Sequence, residues 1–435
     1  MFPSRLRLSR AGTLCAMIAG LALAVPAFAQ EPSAPVLDGT VESFVNAAIA
    51  ASPMLAAARY RADATRSAAG TRGALPDPML GFGYFISTPE TRVGPQQSMW
   101  MLNQRLPFFG TLSLERKVAT RTADIADRSY DRQLIELRYD VQRAFYEYYA
   151  AVKTREVLGE ERDLLTRMEA VAQIRYGSGL VSQQDALKAE LSLSQVEDDI
   201  QVTERRRIDA ASQLNTLLNR PLTADLPAPV GADSLLTAPP ADTLVAIALE
   251  RRPEIQSTQI EIDRANDSRS LARRSYFPDL TLGAQYVQVG EAVMPNVADS
   301  GKDIWQVNAT INIPLWIGKR TAAVDQAEAD AARARSEKMS WDVRIRNEVQ
   351  DAGKRVAIAR DRVLLYRNSI IPQAEQTFQA SEADYQTAKA DFLTYLDSER
   401  MLLSVRRKYF DVVSDYGAQR AMLERAVGVP LETIE

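Results

Sequence analysis

The chain has 435 residues, a quarter of them charged, with a formal net charge of −4, no histidine and a single cysteine. The absence of histidine removes the commonest general base and the commonest transition-metal ligand. A mildly acidic balance also argues against a nucleic-acid partner.

The N-terminus is expected to be a secretory signal over residues 1–29. Arg5, Arg7 and Arg10 make a basic start, "AGTLCAMIAGLALAV" is an apolar run, and "AFA" before Gln30 is a small-x-small cleavage site. Cys15 lies inside this segment, and "GTL" ahead of it is a poor lipoprotein box. Cleavage leaves a chain without thiol or disulfide, with 49 basic against 56 acidic residues. No apolar run of about 18 residues follows Gln30, so no transmembrane helix is expected, although an exported chain can cross a membrane as strands.

In chain order, Thr40–Ala74 reads as a helix, followed by a hairpin of "PMLGFGYFIS" and "QQSMWMLNQRL" with "TPETRVGP" between them. Thr111–Tyr176 runs without proline and with Gly159 as its only glycine, a helix of roughly 100 Å at about 1.5 Å per residue. It ends at a tip, "YGSGLVSQQDAL", where Ser182 and Asp185 fit a capping pattern that restarts a helix over Ser182–Leu218. Gly177 and Gly179 can relax the backbone of that reversal. Arg220–Asp242 carries five prolines and reads as a linker.

The second half repeats these parts. Asp242–Tyr276 is a helix, and "DLTLGAQYVQVG" and "IWQVNATINI" form a hairpin around the loop "EAVMPNVADSGKD". Lys319–Thr387 is a long helix interrupted only by Gly353 and Pro372, and after a tip at 388–390 Asp391 caps a helix reaching Val427. "SPMLAAARYRADATRSA" corresponds to "RPEIQSTQIEIDRANDS", "LPDPMLGFGYF" to "FPDLTLGAQYV", and the first tip to "YQTAKADFLTYL". The expected organisation is a first repeat over 30–219, a linker over 220–242 and a second repeat over 243–435. Each long helix is matched in length by two shorter ones: Thr111–Tyr176 by Ser182–Leu218 and Asp242–Tyr276, and Lys319–Thr387 by Asp391–Val427 and Thr40–Ala74. Such a rod draws its stability from lateral helix packing.

In "IWQVNATINI", Trp305, Val307, Ala309, Ile311 and Ile313 fall on one face and Gln306, Asn308, Thr310 and Asn312 on the other. That alternation suits a membrane barrel strand, and it equally suits a soluble half-buried hairpin. Two hairpins give four strands per chain, too few to close a barrel alone, whereas a dimer brings eight and a trimer twelve. The wider ring is the one able to hold water. Trp100, Trp305 and Trp316 lie in or beside the strands, and Trp341 reads as helix packing. "ERRR" at 204–207 and "VRIRNE" at 343–348 read as solvated faces and inter-helix pairs. No phosphate loop, nucleophile elbow or metal-ligand cluster is legible, so no enzyme activity, cofactor or metal site is expected. The rival outside the channel class is an exported coiled-coil scaffold or adaptor without a pore.

The doubled plan, the "FPDLTL" and "IPLWIGKR" segments that flank the second hairpin, and the tip "YGSGLVSQQDALKAE" resemble the TolC-type outer membrane efflux channels over essentially the whole mature chain. "LPFFGTLSLERK" and "ETRVGPQ" resemble its heavy-metal efflux branch. The resemblance implies a mainly α fold with a membrane β-barrel. It also implies a homotrimer in outer membrane lipid of a Gram-negative bacterium, twelve strands in one barrel, and a helical tunnel through the periplasm. The partners it implies are a periplasmic adaptor and an inner-membrane pump. Tyr176, Gly177, Gly179, Leu180, Asp185 and Leu187 in the first tip, with Tyr385, Lys389 and Leu396 in the second, fall where the family meets its adaptor. For Gly177, Leu180 and Leu187, turn and packing duties explain the same residues. Family aspartates that narrow the entrance align with "LTYLDS": Asp397 matches one, Thr394 replaces the other, and Asp391 stands close by as a substitute.

Overall fold

A computed structural model describes residues 37–178, 182–232, 234–235, 238–387 and 389–434. The expected leader, with Cys15, lies outside them, as do Gly179 and Leu180 of the first tip.

The helices begin and end where local chemistry requires. Thr40 caps α1 (Val41–Ala51), its hydroxyl accepting from the Ser43 amide at 3.4 Å. Ser52 caps α2 (Pro53–Arg72), accepting from the Leu55 amide at 3.2 Å. One helix was expected here, and the structure has two, meeting at 51°. Pro53 pushes the residue before it out of the α region, and Ser52 takes an extended conformation with ψ 113°. Arg252, ψ 126°, makes the same break between α5 (Ala241–Arg251) and α6 (Pro253–Arg274), again where one helix was expected.

α3 (Thr111–Gly177) is continuous over 67 residues, and α4 (Gln183–Leu217) follows the first tip. The second long helix is less uniform. α7 (Ile317–Leu365) passes through Gly353 without a break, then widens into a π turn over Tyr366–Ile370 before α8 (Ile371–Gln386). Pro372 has no amide to donate and its ring crowds the carbonyl of Asn368, so a widened turn immediately upstream relieves the clash. α9 (Phe392–Val427) ends at Gly428, whose φ of 89° is the left-handed conformation a helix C-terminus favours in glycine.

The strands are β1 (Met79–Tyr84), β2 (Glu90–Thr91), β3 (Gly94–Leu106), β4 (Leu280–Val289) and β5 (Ile304–Ile311). All pairs are antiparallel, in the order β1-β3-β4-β5, with β2 a short turn-back on β3. The pairing of β3 with β4 joins the two halves: Trp100 stands opposite Tyr286 and Leu102 opposite Ala284. On one face Phe82, Trp100, Tyr286 and Trp305 line up across four strands. The other face carries Asn103, Gln285, Gln306 and Asn308, and a Cβ on Gly283 would collide with the side-chain oxygens of Asn308 and Asn103. The apolar face is uncovered, with Trp305 76% and Val307 84% exposed. β1 and β5 have no outer partner among the described residues.

α3 packs along α2 and α1 at one end and along α4 at the other, with α6 and α9 also against it. Thr40–Ala74 was expected to accompany the second long helix, but α1 and α2 pack on α3 instead. The reason is connectivity: α2 and α3 flank the first hairpin and α6 and α7 the second, and short connections keep such neighbours adjacent. Ion pairs fix the pairings: Arg66 with Asp127 at 2.7 Å (α2 to α3) and Arg269 with Glu328 at 2.7 Å (α6 to α7). Exposed pairs of this kind add little stability and mainly set alignment. Of the charged runs, Glu204 pairs with Arg155 and Arg207, Arg206 with Asp411, and Glu348 with Arg252.

The apolar interior falls into two clusters. The larger gathers Phe44, Phe145, Leu214, Leu244, Ile345 and Tyr416 from α1, α3, α4, α5, α7 and α9, with Trp341 packed at its edge. The linker closes over it: Ala232 is buried, and the Asn215 side chain donates to the carbonyls of Leu222 (3.1 Å) and Ala224 (2.8 Å). α9 approaches α3 so closely that a Cβ on Gly417 would enter the Tyr146 ring. The smaller cluster, at the tip end, joins Leu158, Leu165, Met168 and Ala172 of α3, Ala189 and Val196 of α4, and Phe392, Tyr395 and Leu396 of α9.

Candidate functional site

The two reversals lie together. Arg175, in the last turn of α3, sits over the ring of Tyr385 at the end of α8, 4.6 Å from its centroid. Tyr385 stacks on Tyr395 at 5.1 Å with 10° between planes, and Phe378 stacks on the same ring at 5.7 Å. An aromatic column therefore ties α8 to α9, and a cation joins it to the first tip.

Each helix leaving a tip is capped. Ser182 Oγ accepts from the Asp185 amide at 3.3 Å while Asp185 Oδ2 accepts from the Ser182 amide at 3.1 Å, a reciprocal box. Asp391 Oδ1 accepts from the Thr394 amide at 2.8 Å, and hydrogen bonds from Thr394, hydroxyl first and amide second, hold the Asp391 carboxyl below its usual range. Asp391, Thr394 and Asp397 are all exposed and recur every three residues along α9. That spacing puts them on one side of the helix, with Asp391 occupied as the cap and Asp397 exposed to solvent.

The expected docking residues divide by burial. Tyr176 (46%) and Leu187 (55%) are exposed, as are Gly177 and Lys389. Asp185 is half-buried and occupied by its cap, and Tyr385 is half-buried in the aromatic column. Leu396 is 2% exposed, a member of the tip-end core, and so packs rather than presents itself. Gly177 is the last residue of α3, outside the left-handed region, and a Cβ there would meet nothing within 4 Å. Its backbone freedom is therefore not required at that position, contrary to the expectation from the glycine pair. Gly179 and Leu180 lie outside the described residues.

Two residues at this end carried no sequence expectation. Glu161 of α3 (3% exposed) and Glu399 of α9 (0%) are buried within the tip-end packing. Neither carboxylate oxygen of Glu399, nor Oε2 of Glu161, has a hydrogen-bond partner. Burial first, and repulsion from Glu161 second, push the Glu399 carboxyl up to about 8. Burial likewise raises Glu161. The signal was present in the spacing: Tyr395, Leu396, Glu399, Leu402 and Leu403 recur at three- and four-residue intervals, as do Leu158, Glu161, Leu165, Met168 and Ala172.

The chain is similar to known proteins over nearly its whole described length. The solvent efflux pump outer membrane protein SrpC of Pseudomonas putida is 27% identical over 278 residues, 60% of this chain and 54% of that one, so the match spans about half of the relative. The cobalt-zinc-cadmium resistance protein CzcC of Cupriavidus metallidurans is 22% identical over 409 residues, 93% of each chain. Among solved structures CusC, whose folding forms a transmembrane channel, superimposes with a TM-score of 0.73 at 18% identity, covering 92% of this chain and 98% of its own. The model of the outer membrane efflux protein family matches residues 44–220 and 244–429, on either side of the proline-rich linker. With four barrel-type strands, a doubled helical frame and a match covering most of its length, the chain belongs to the outer membrane efflux protein family.

Proposed function

We propose that three copies of this chain close into one outer membrane channel that passively conducts solutes delivered by an inner-membrane pump through a periplasmic adaptor. The observation that carries this reading is the sheet, apolar and uncovered on one face, with Asn103, Gln285, Gln306 and Asn308 among Met99, Met101 and Val287 on the other, and open at β1 and β5. In lipid an open edge leaves backbone groups unsatisfied at several kcal/mol each, so the sheet must find partners. Pairing β5 of one copy with β1 of the next satisfies both edges. With four main strands per copy, three copies give a twelve-stranded ring wide enough for water.

The tip end is the entrance in this reading. Asp397, with Asp391 in support and Thr394 between them, would bring carboxylates from three copies toward one axis, where they repel one another and favour cations. Tyr176, Gly177, Leu187 and Lys389 offer the surface an adaptor would meet, together with Gly179 and Leu180. Asp185, Tyr385 and Leu396 would hold that surface in shape from behind.

The mature chain is expected to lack cysteine, so an engineered pair reports edge pairing cleanly. Cysteines placed one on β1 and one on β5, scanned along both edges and cross-linked in outer membranes, should yield covalent dimers and trimers with the trimer as the largest product. Cross-linking that stops at dimers, or larger ladders that never terminate, would contradict the ring of three.

A further inference from the structure

We propose that Glu161 and Glu399 form a proton-held latch: a proton retained by this buried pair keeps α3 and α9 packed at the tip end, and its release to solvent loosens that seam. The pair sits on the core faces of two helices, flanked by Leu158, Leu165, Leu396 and Leu403. A carboxylate buried in such surroundings without a hydrogen-bond donor is costly, whereas a protonated carboxyl is tolerated.

Arg400 and Arg407 of α9 face the pair and partly offset the effect of burial, but neither hydrogen-bonds a Glu399 oxygen. On α9, Arg400 donates to Ser192 Oγ at 2.5 Å and to Gln195 at 3.3 Å, and Arg407 donates to Asp199 of α4 at 2.6 Å. Asp199 adds a further negative charge facing Glu161, which Arg407 offsets. Arg406 is held by Glu375 of α8 (2.9 Å) and Glu160 of α3 (3.5 Å). No group of three or more potential metal ligands occurs among the described residues.

The direction of the effect follows from linkage. In the packed seam burial, and Glu161 after it, push the Glu399 carboxyl from its ordinary 4.5 up to about 8, and exposure on opening would remove that cause. The packed seam binds the extra proton, so it weakens as pH rises between those values and changes little above them. Opening of the seam would let α8 and α9 move against α3 and α4, and any consequence for passage rests on the channel reading above.

Hydrogen exchange of the full-length mature protein tests the latch without requiring conduction. Amides of 158–172 and 392–403 should show opening constants at least about tenfold larger near pH 8.5 than near pH 5.5, after correction for intrinsic exchange. Segments 141–151 and 412–427 should change little. Glu399→Gln should abolish the difference at the tip, and Glu161→Gln should reduce it; the second variant substitutes for the first if that one fails to fold. Wild-type tip segments with no pH-dependent opening would overturn the latch whatever the variants do, as would a Glu399→Gln protein that keeps the full wild-type difference. A channel that never conducts, with the exchange pattern intact, would sink the channel reading and leave the latch standing.

Discussion

The two apolar clusters of this protein treat buried charge in opposite ways. In the larger one, Arg252 reaches Glu254 (2.9 Å), Glu348 (3.0 Å) and the carbonyl of Ala426 (3.1 Å). Beside it Arg420 bridges Glu424 (3.1 Å) and Glu432 (2.6 Å), while Gln142 donates to Glu424 at 2.9 Å. At the tip end the buried ionisable groups are two carboxyls, and both Glu399 oxygens go without a hydrogen-bond partner. Satisfied networks tie helices into one arrangement, whereas a pair of buried acids without hydrogen-bond partners would leave its seam open to titration.

Breaking the firm region should produce the largest change. Arg252→Ala leaves Glu254 buried without its cation and should cost about 3–5 kcal/mol, seen as a lower denaturant midpoint. If the loss is under about 1 kcal/mol, the larger cluster does not depend on its paired charges and the contrast weakens. Glu399→Gln sharpens the comparison from the other side. Because its folded-state pKa is raised, the glutamate subtracts from stability as pH climbs from about 4.5 toward 8, so the variant should gain about 3 kcal/mol at neutral pH and almost nothing in acid. Thermal unfolding at both pH values checks this, and equal gains at the two would contradict it. Gly417→Ala should follow, at about 1–3 kcal/mol, since its methyl group would displace the Tyr146 ring within the larger cluster. The smallest effect belongs to a cap: Ser182→Ala should cost about 1 kcal/mol and show as faster exchange confined to the first turns of α4.

Much of this frame is legible in the sequence because its signals are local. The helix over 111–176 needs only an absence of breakers, the caps at Ser182 and Asp391 need only a side chain near its own amides, and the strands announce themselves by alternation. The breaks at Ser52 and Arg252 were local as well, each set by the proline that follows, but they sit inside apolar patterns that continue on both sides. Which helix lies on which was not legible, since α2 against α3 depends on how the hairpins hold their flanking helices. The tip residues divide for the same reason: Leu187 and Leu396 hold equivalent places in the two repeats, yet one is exposed and the other buried, because only α9 turns that face into the smaller cluster. Gly177 looked like a turn residue and proved to be the last turn of a helix. Glu161 and Glu399 were visible as acids on apolar stripes, but only packing reveals that no hydrogen-bond donor reaches the Glu399 oxygens.

The most direct test of the account is single-channel recording in planar bilayers of protein purified from outer membranes, comparing wild type with Asp397→Ala. Stable, cation-selective conductance is expected, and the substitution should make it larger or less selective. A folded, membrane-inserted protein that conducts under no condition, in either form, would contradict it.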